Sequence, residues 1–288
     1  MTAKNTIFST KKTLNCHGKL LDISTPVVMG IINVTPDSFY DGGKLVNENN
    51  LLQQAEKMLL EGAAILDVGG MSSRPGATII SEQEELSRVI PAVDAIHRRF
   101  PDAVISIDTF RSTVLQHAVD HGASFANDIS GGAFDPDLWK TVARLSVPYV
   151  LMHMQGTPAT MQAGPGYENA TQEIFDWLKK KILQLQLLGI HDVVVDPGFG
   201  FGKTIEHNFQ LLSALPLFRL FGLPILAGIS RKSMICQVLK INPADALNGT
   251  TALNTVALLN GAGILRVHDV KEARETIQLI QQLHAVTV

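Results

Sequence analysis

The chain has 288 residues, 45% of them hydrophobic and 18% charged, with a formal charge of −3. That is enough apolar material for one large core, and it offers neither a basic field for nucleic acid nor an acidic tail. Cys16 and Cys236, the only cysteines, read as reduced thiols of a cytosolic protein. The segment Met1–Lys12 lacks the apolar core of a signal peptide, and no apolar run approaches the roughly 20 residues that span a bilayer. The expectation is a soluble, cytoplasmic protein without membrane or nucleic-acid partners.

Residues 1–26 read as a leader, in which Leu20-Leu21-Asp22-Ile23 suggests a strand or hairpin closing one end of the fold. A rhythm then begins. Val27–Asn33 is a buried apolar run, and Glu48–Glu61 carries Leu51, Leu52, Ala55, Met58 and Leu59 at helical spacing before Gly62. Ala64–Val68 is a second strand. Glu82–Phe100 is a helix through Leu86, Val89, Ile90, Val93 and Ile96, with Ser81 and Glu84 spaced as a capping box. Strands follow at Val104–Ile107, Ser124–Asn127, Tyr149–Met152, Val193–Val195, Pro224–Ala227 and Ile264–Val267. Helices alternate with them at Ser112–His121, Asp137–Leu145, Asn169–Leu188, His207–Leu215, Ser233–Lys240, Ala244–Leu259 and Val270–Ala285. Alternation without a linker implies parallel pairing by right-handed crossovers. The expected fold is an α/β (β/α)8 TIM barrel forming a single domain over 27–288, with a doubly wound open sheet as the runner-up.

In such a barrel, function sits where strands end. Those ends carry Asn33; Gly69-Gly70 followed by Met71-Ser72-Ser73-Arg74-Pro75-Gly76; Asp108; Asn127 and Asp128; His153; Asp196; Gly228 followed by Ser230-Arg231-Lys232; and Arg266 with His268. Strand ends are polar wherever they meet solvent, so no single position is decisive; the whole set facing one mouth is. Two chemistries separate. Arg74, Lys232, Arg266 and His268 can bind an anion by charge-assisted hydrogen bonds. Asp108, Asn127 and Asp196 suit a flat heterocycle with donor and acceptor edges, and Lys232 can alternatively donate to a ring carbonyl.

The stretch Val193-Val194-Val195-Asp196-Pro197-Gly198-Phe199-Gly200-Phe201-Gly202-Lys203-Thr204 fails the nucleotide patterns. Gly198 and Gly202 enclose three residues where a P-loop needs four, and the glycines lack the Rossmann spacing. Zinc spacings and the nucleophile elbow are also absent. His117, His121, His191 and His207 read as surface or packing residues, and Met152, Met154 and Met161 as core or wall. Phe199 and Phe201 read as core plugs, with Phe201 equally a pocket wall.

Together these motifs resemble dihydropteroate synthases. The resemblance rests on Met29-Gly30-Ile31-Ile32-Asn33-Val34-Thr35-Pro36-Asp37-Ser38-Phe39, Asp67-Val68-Gly69-Gly70, Ser73-Arg74-Pro75-Gly76, Leu151-Met152-His153-Met154-Gln155-Gly156, Asp196 to Lys203, Ser230-Arg231-Lys232-Ser233 and Arg266-Val267-His268-Asp269-Val270. It covers about Val27 to Val270, in the family's order. It implies a TIM barrel, usually a homodimer, in folate biosynthesis. The implied transferase joins a dihydropterin methyl diphosphate to 4-aminobenzoate by SN1-like loss of pyrophosphate, with Mg2+, and is a sulfonamide target. By the resemblance, Asn33 helps hold Mg2+ and pyrophosphate, and Ser73, Arg74, Arg266 and His268 bind pyrophosphate. Asp108, Asn127, Asp196 and Lys232 hold the pterin, with Phe201 and Gly228 beside it. Ser73, Pro75, Phe201 and Ser230 border the aminobenzoate. Asp108, Lys232 and Arg74 are expected to act in catalysis.

One departure is Met71, where the family commonly has Glu in Gly-Gly-Glu-Ser-Thr-Arg-Pro. Ser73 for Thr keeps the hydroxyl. Two other readings stay open. A pterin-dependent methyltransferase of the same barrel family has no use for the Arg266/His268 pair. A pterin-binding paralogue without catalysis is motivated by Met71.

Overall fold

The computed structural model describes residues 10–34, 44–71, 78–161 and 164–286. Ten strands occur among them: β1 Thr13–Cys16, β2 Lys19–Asp22, β3 Val27–Asn33, β4 Ala63–Gly69, β5 Val104–Asp108, β6 Phe125–Asp128, β7 Tyr149–Met152, β8 Val193–Asp196, β9 Leu226–Ala227 and β10 Ile264–Val267. The first two form an antiparallel hairpin, turned through His17 and Gly18 at positive φ. The other eight pair in the order β8-β7-β6-β5-β4-β3-β10-β9, every neighbour parallel. A parallel bridge between Val195 and Ile225 joins β8 to the approach of β9 and closes the barrel. This is the (β/α)8 barrel, and the open-sheet alternative falls.

The β9 strand is shorter than the expected Pro224–Ala227. Pro224 has no N–H for a ladder; its carbonyl instead accepts from Val195 N at 2.9 Å. Helices follow the strands in turn: α1 Lys44–Leu60, α2 Glu82–Arg99, α3 Ser112–Asp120, α4 Leu138–Leu145, α5 Ala170–Leu187, α6 Ile205–Ser213, α7 Leu215–Phe218, α8 Ser233–Leu239, α9 Leu247–Leu259 and α10 Val270–Val286. On α2, Ser81 Oγ accepts from Glu84 N at 3.2 Å, but the Glu84 carboxylate pairs with Arg88, so half of the capping box forms. A complete box stands at α6, between Thr204 and His207.

Because side chains alternate along a strand, each barrel strand feeds two cores. Outward residues such as Leu66, Ile105, Leu151, Val195 and Leu265 pack against the helices. Inward residues Met29, Ile65, Val104, Phe125, Val150, Val194, Leu226 and Ile264, one from each barrel strand, form a second cluster with Leu14, Cys16 and Ile23. The hairpin therefore caps the lower end of the barrel. Its polar edge is held by the loops there: Lys11 Nζ donates to His191 O at 3.1 Å, Lys11 N to Gly222 O at 3.0 Å and Lys19 Nζ to Pro101 O at 3.2 Å.

Candidate active site

The same alternation builds the site. Two residues above the apolar layer, β4 passes from Ile65 to Asp67, β6 from Phe125 to Asn127, β8 from Val194 to Asp196, and β10 from Ile264 to Arg266. On β5, Val104 is followed by Ser106 and then Asp108 at the rim. Gly228 follows Leu226 in the same phase; a Cβ there would lie 3.8 Å from Lys232 Nζ and 4.0 Å from Arg266 Cβ. Asn127, Asp196, Lys232, Gly228, Asp108 and Arg266 thus come from five strands and their loops to one interior.

Arg266 is the hub of its charges. Its Nε donates to Asp67 Oδ2 and its Nη2 to Asp108 Oδ2, each at 2.6 Å, while Asn127 Nδ2 donates to the same Asp67 oxygen at 3.0 Å. One guanidinium thus serves two carboxylates. Burial pushes the Asp108 carboxyl up to about 7; Arg266 opposes this, and Asp67 reinforces it. Nη1 takes no part in either bond, so that end of the fork retains donors for an anion.

The loop after β8 supplies the opposite wall. Asp196 is buried and accepts from Gly198 N at 2.7 Å; burial raises its pKa against the pull of Lys232. Lys232, just before α8, donates from Nζ to Phe199 O and lies 4.5 Å from the Phe201 ring centroid. Burial brings its pKa down to about 8, with Asp196 working the other way. Phe199 and Phe201, both expected as core plugs with Phe201 equally a pocket wall, divide the two roles. Phe199 is fully buried against the helices, whereas Phe201 belongs to a small cluster with Phe110, Ile129, Met152 and Met161. Met71 packs on that same cluster.

A second lysine, Lys203, is buried and clasps this loop from behind. Lys203 Nζ meets His153 Nδ1 at 3.1 Å, His153 O at 3.2 Å and Phe201 O at 2.9 Å. Gly198, at φ +74°, lies where a Cβ would be 1.9 Å from His153 O, so only glycine lets the loop settle there. His153 is not turned to the heterocycle side: burial lowers its pKa to about 2, and its ring meets Trp177 edge-on at 5.0 Å. Asp128 is likewise turned away. Its carboxylate accepts from Tyr149 Oη at 2.6 Å and from Ser130 N and Gly132 N, both at 2.7 Å. Ser230 Oγ accepts from His268 N at 3.3 Å and approaches its Nδ1 at 3.0 Å, so these two share one corner. Asn33 ends β3. Ser73, Arg74 and Pro75 lie outside the described residues.

Asp67 and Lys203 were given no role in the expected site, and His153, expected at the rim, is taken up by the clasp instead. The available signals for Asp67 were its place in the motif Asp67-Val68-Gly69-Gly70 and a lone carboxylate inside the strand Ala63–Gly69.

A barrel with carboxylates, an amide and two half-buried cations at its upper interior defines an enzyme for a small polar substrate with an anionic part. The pterin binding enzyme family model matches residues 29–268, and the chain belongs to that family. A dihydropteroate synthase of Haemophilus influenzae is 44% identical over 270 residues, which are 93% of this chain and 98% of the relative. That of Escherichia coli is also 44% identical, over 93% and 95%. The Yersinia pestis dihydropteroate synthase in a sulfonamide complex superposes with a TM-score of 0.89 at 43% identity, covering 95% of this chain and all of that one. A Xanthomonas albilineans dihydropteroate synthase with 4-aminobenzoic acid gives 0.89 at 38% identity, covering 96% and 100%.

Proposed function

We propose that this chain is a dihydropteroate synthase, a transferase of folate biosynthesis. It condenses (7,8-dihydropterin-6-yl)methyl diphosphate with 4-aminobenzoate and releases pyrophosphate. The observation that carries this reading is the shared inward phase of Asn127, Asp196 and Arg266, with Asp108 and Lys232 beside them. A carboxylate and an amide offer the donor-acceptor pattern that a pterin edge requires. Asp196 takes the 2-amino and ring N–H side, and Lys232 donates to the ring carbonyl. As the methylene–oxygen bond breaks, positive charge develops on the ring and negative charge on the leaving group. Two carboxylates against one guanidinium leave an excess negative charge beside the ring, which favours that cation. Arg74, Arg266 and His268, with Ser73, receive the pyrophosphate. Aminobenzoate, bounded by Ser73, Pro75, Phe201 and Ser230, attacks with a neutral amine and needs no strong protein base.

Mg2+ fits this site as an ion carried by the pyrophosphate. Among the described residues no group of three His, Cys, Asp or Glu side chains is arranged to hold a metal, and Asn33 offers one neutral oxygen. That suits a cation which keeps most of its waters and phosphate ligands. When bound, it supplies charge neutralisation at the leaving oxygens.

The protein acts as a cytoplasmic homodimer in this reading. Among the described residues no helix is long and apolar enough to cross a membrane. The neighbouring helices α9 and α10 expose Val256 and Leu259, and Leu279 and Val286. Such a stripe suits a second copy of the same face. Leu279→Glu should shift sedimentation toward the monomer.

The deciding assay is pyrophosphate release with the pterin diphosphate, Mg2+ and 4-aminobenzoate. Release that requires both substrates supports the synthase. Tight pterin binding without release supports the non-catalytic paralogue and overturns the reading.

A further inference from the structure

Asp67 is a carboxylate with no exposed surface, placed in mid-strand below the rim. A buried carboxylate is costly unless it serves several donors. Asp67 Oδ2 takes two: Asn127 Nδ2 from β6 at 3.0 Å, and Arg266 Nε from β10 at 2.6 Å. Its Oδ1 is buried without a partner among the described residues. A carboxylate paired to a guanidinium has no hydrogen to give. The Asn127 amide therefore has to turn its NH2 toward Asp67, and its carbonyl oxygen has to face elsewhere. The usual ambiguity of an asparagine, which can present either end, is removed by its neighbour. The same oxygen holds the Nε side of Arg266, so that Nη2 reaches Asp108.

We infer that Asp67 is a positioning residue that sets the orientation of the Asn127 amide, and with it which edge of a heterocycle the site accepts. The inference rests on the reading above that Asn127 faces the pterin. A ring must then offer an N–H to Asn127 Oδ1 and can use only one of the two Asn127 N–H groups as an acceptor's partner. An isomer with donor and acceptor exchanged leaves a buried polar group unpaired and is rejected.

The test compares Asp67→Ala, Asp67→Asn, Asn127→Ala and Asp67→Ala/Asn127→Ala in the full chain. Affinity for 6-hydroxymethylpterin is read by calorimetry. Asp67→Asn keeps an oxygen for both donors and puts its NH2 where Oδ1 has no partner. It should hold affinity within about threefold, whereas Asp67→Ala should lose about tenfold or more. The double variant should lose clearly less affinity than the product of the two single losses, the remainder over Asn127→Ala being the part carried through Arg266. Losses that multiply in the double variant, or an Asp67→Asn variant as weak as Asp67→Ala, overturn the inference. Should Asp67→Ala not fold, Asp67→Asn/Asn127→Asp decides. It keeps a bond between the two positions but presents only acceptors to the ring, so wild-type affinity there also overturns it. A ligand-free readout separates this from the function itself. In protein labelled with 15N-asparagine, one side-chain amide should exchange slowly in wild type and in Asp67→Asn, and be lost in Asp67→Ala and Asn127→Ala. If wild type binds no pterin, the functional reading fails while this amide signal still decides the role of Asp67.

Discussion

At the lower end of the barrel interior stand Met29, Ile65, Val104, Phe125, Val150, Val194, Leu226 and Ile264, capped by Leu14 and Cys16. Two residues higher, the same strands present Asp67, Asn127, Asp196 and Arg266. Geometry and burial are nearly the same in both layers; the chemistry is not. The lower layer gains free energy from every methylene removed from water. The upper layer loses hydration and recovers it only through hydrogen bonds of fixed geometry, so the partners that survive there are those a substrate can replace or use. The contrast separates the residues that keep the chain folded from those that make it act, and each layer should respond to substitution in its own way.

The largest effect should come from the upper layer. Arg266→Ala removes the cation shared by Asp67 and Asp108 and one expected donor to the leaving group. We expect kcat/KM to fall about a hundredfold or more. Breaking a buried ion pair also leaves an uncompensated carboxylate, at about 3–5 kcal/mol, so the thermal midpoint should fall as well. Turnover near wild type would remove Arg266 from the site. In the lower layer, Leu14→Ala should cost about 2–5 kcal/mol by denaturant unfolding. Its kcat and both KM values, measured well below the midpoint, should stay close to wild type. A KM change as large as the stability loss would break the separation between the layers.

Titration sharpens the contrast. Burial holds the Asp108 carboxyl at about 7, with Arg266 lowering it and Asp67, Glu85 and Asp128 raising it. Because the folded-state pKa lies above the unfolded one, the protonated carboxyl contributes stability that is whole below about pH 4 and lost as pH rises through about 7. Ring binding runs the other way, since it uses the carboxylate. Pterin affinity should fall about fivefold from pH 7 to pH 6, and Asp108→Asn should flatten that step while binding more weakly throughout. A wild-type profile that is level across this range would show that the ring does not use the Asp108 charge.

The strands were legible because short apolar runs alternate with longer segments of helical spacing, and the rim residues because polar groups recur where those runs stop. Other features needed partners distant in the chain. Asn127 and Asp128 are adjacent and equally polar; only the register of β6 against β5 and β7 tells that Asn127 points inward and Asp128 toward Tyr149. Asp67 is joined to an arginine 199 residues away, and no local spacing announces that pairing. His153 looked like a rim residue until Lys203 and Trp177 accounted for it. The loop from Asp196 to Lys203 failed two nucleotide patterns because its glycines serve another end. At Gly198 and Gly202 they let the backbone lie against His153 and Gln155, leaving the carbonyls of Phe199 and Phe201 to two different lysines.

The smallest effect lies on the same hairpin as the lower cap. Leu20, on β2, is 73% exposed, whereas Leu14, on β1, is fully buried. The two are the same residue type in paired strands, with Leu20 opposite Asn15 and Leu14 opposite Leu21. If hydrophobic identity alone mattered to the hairpin, Leu20→Ser and Leu14→Ala would be comparable. If burial against the barrel interior is what matters, Leu20→Ser should change stability by no more than about 0.5 kcal/mol, with activity unchanged. Unfolding curves for both variants under one condition settle the point. A loss at Leu20 near that at Leu14 would mean that this face is covered by something in solution, and the cap would extend beyond Leu14, Cys16 and Ile23.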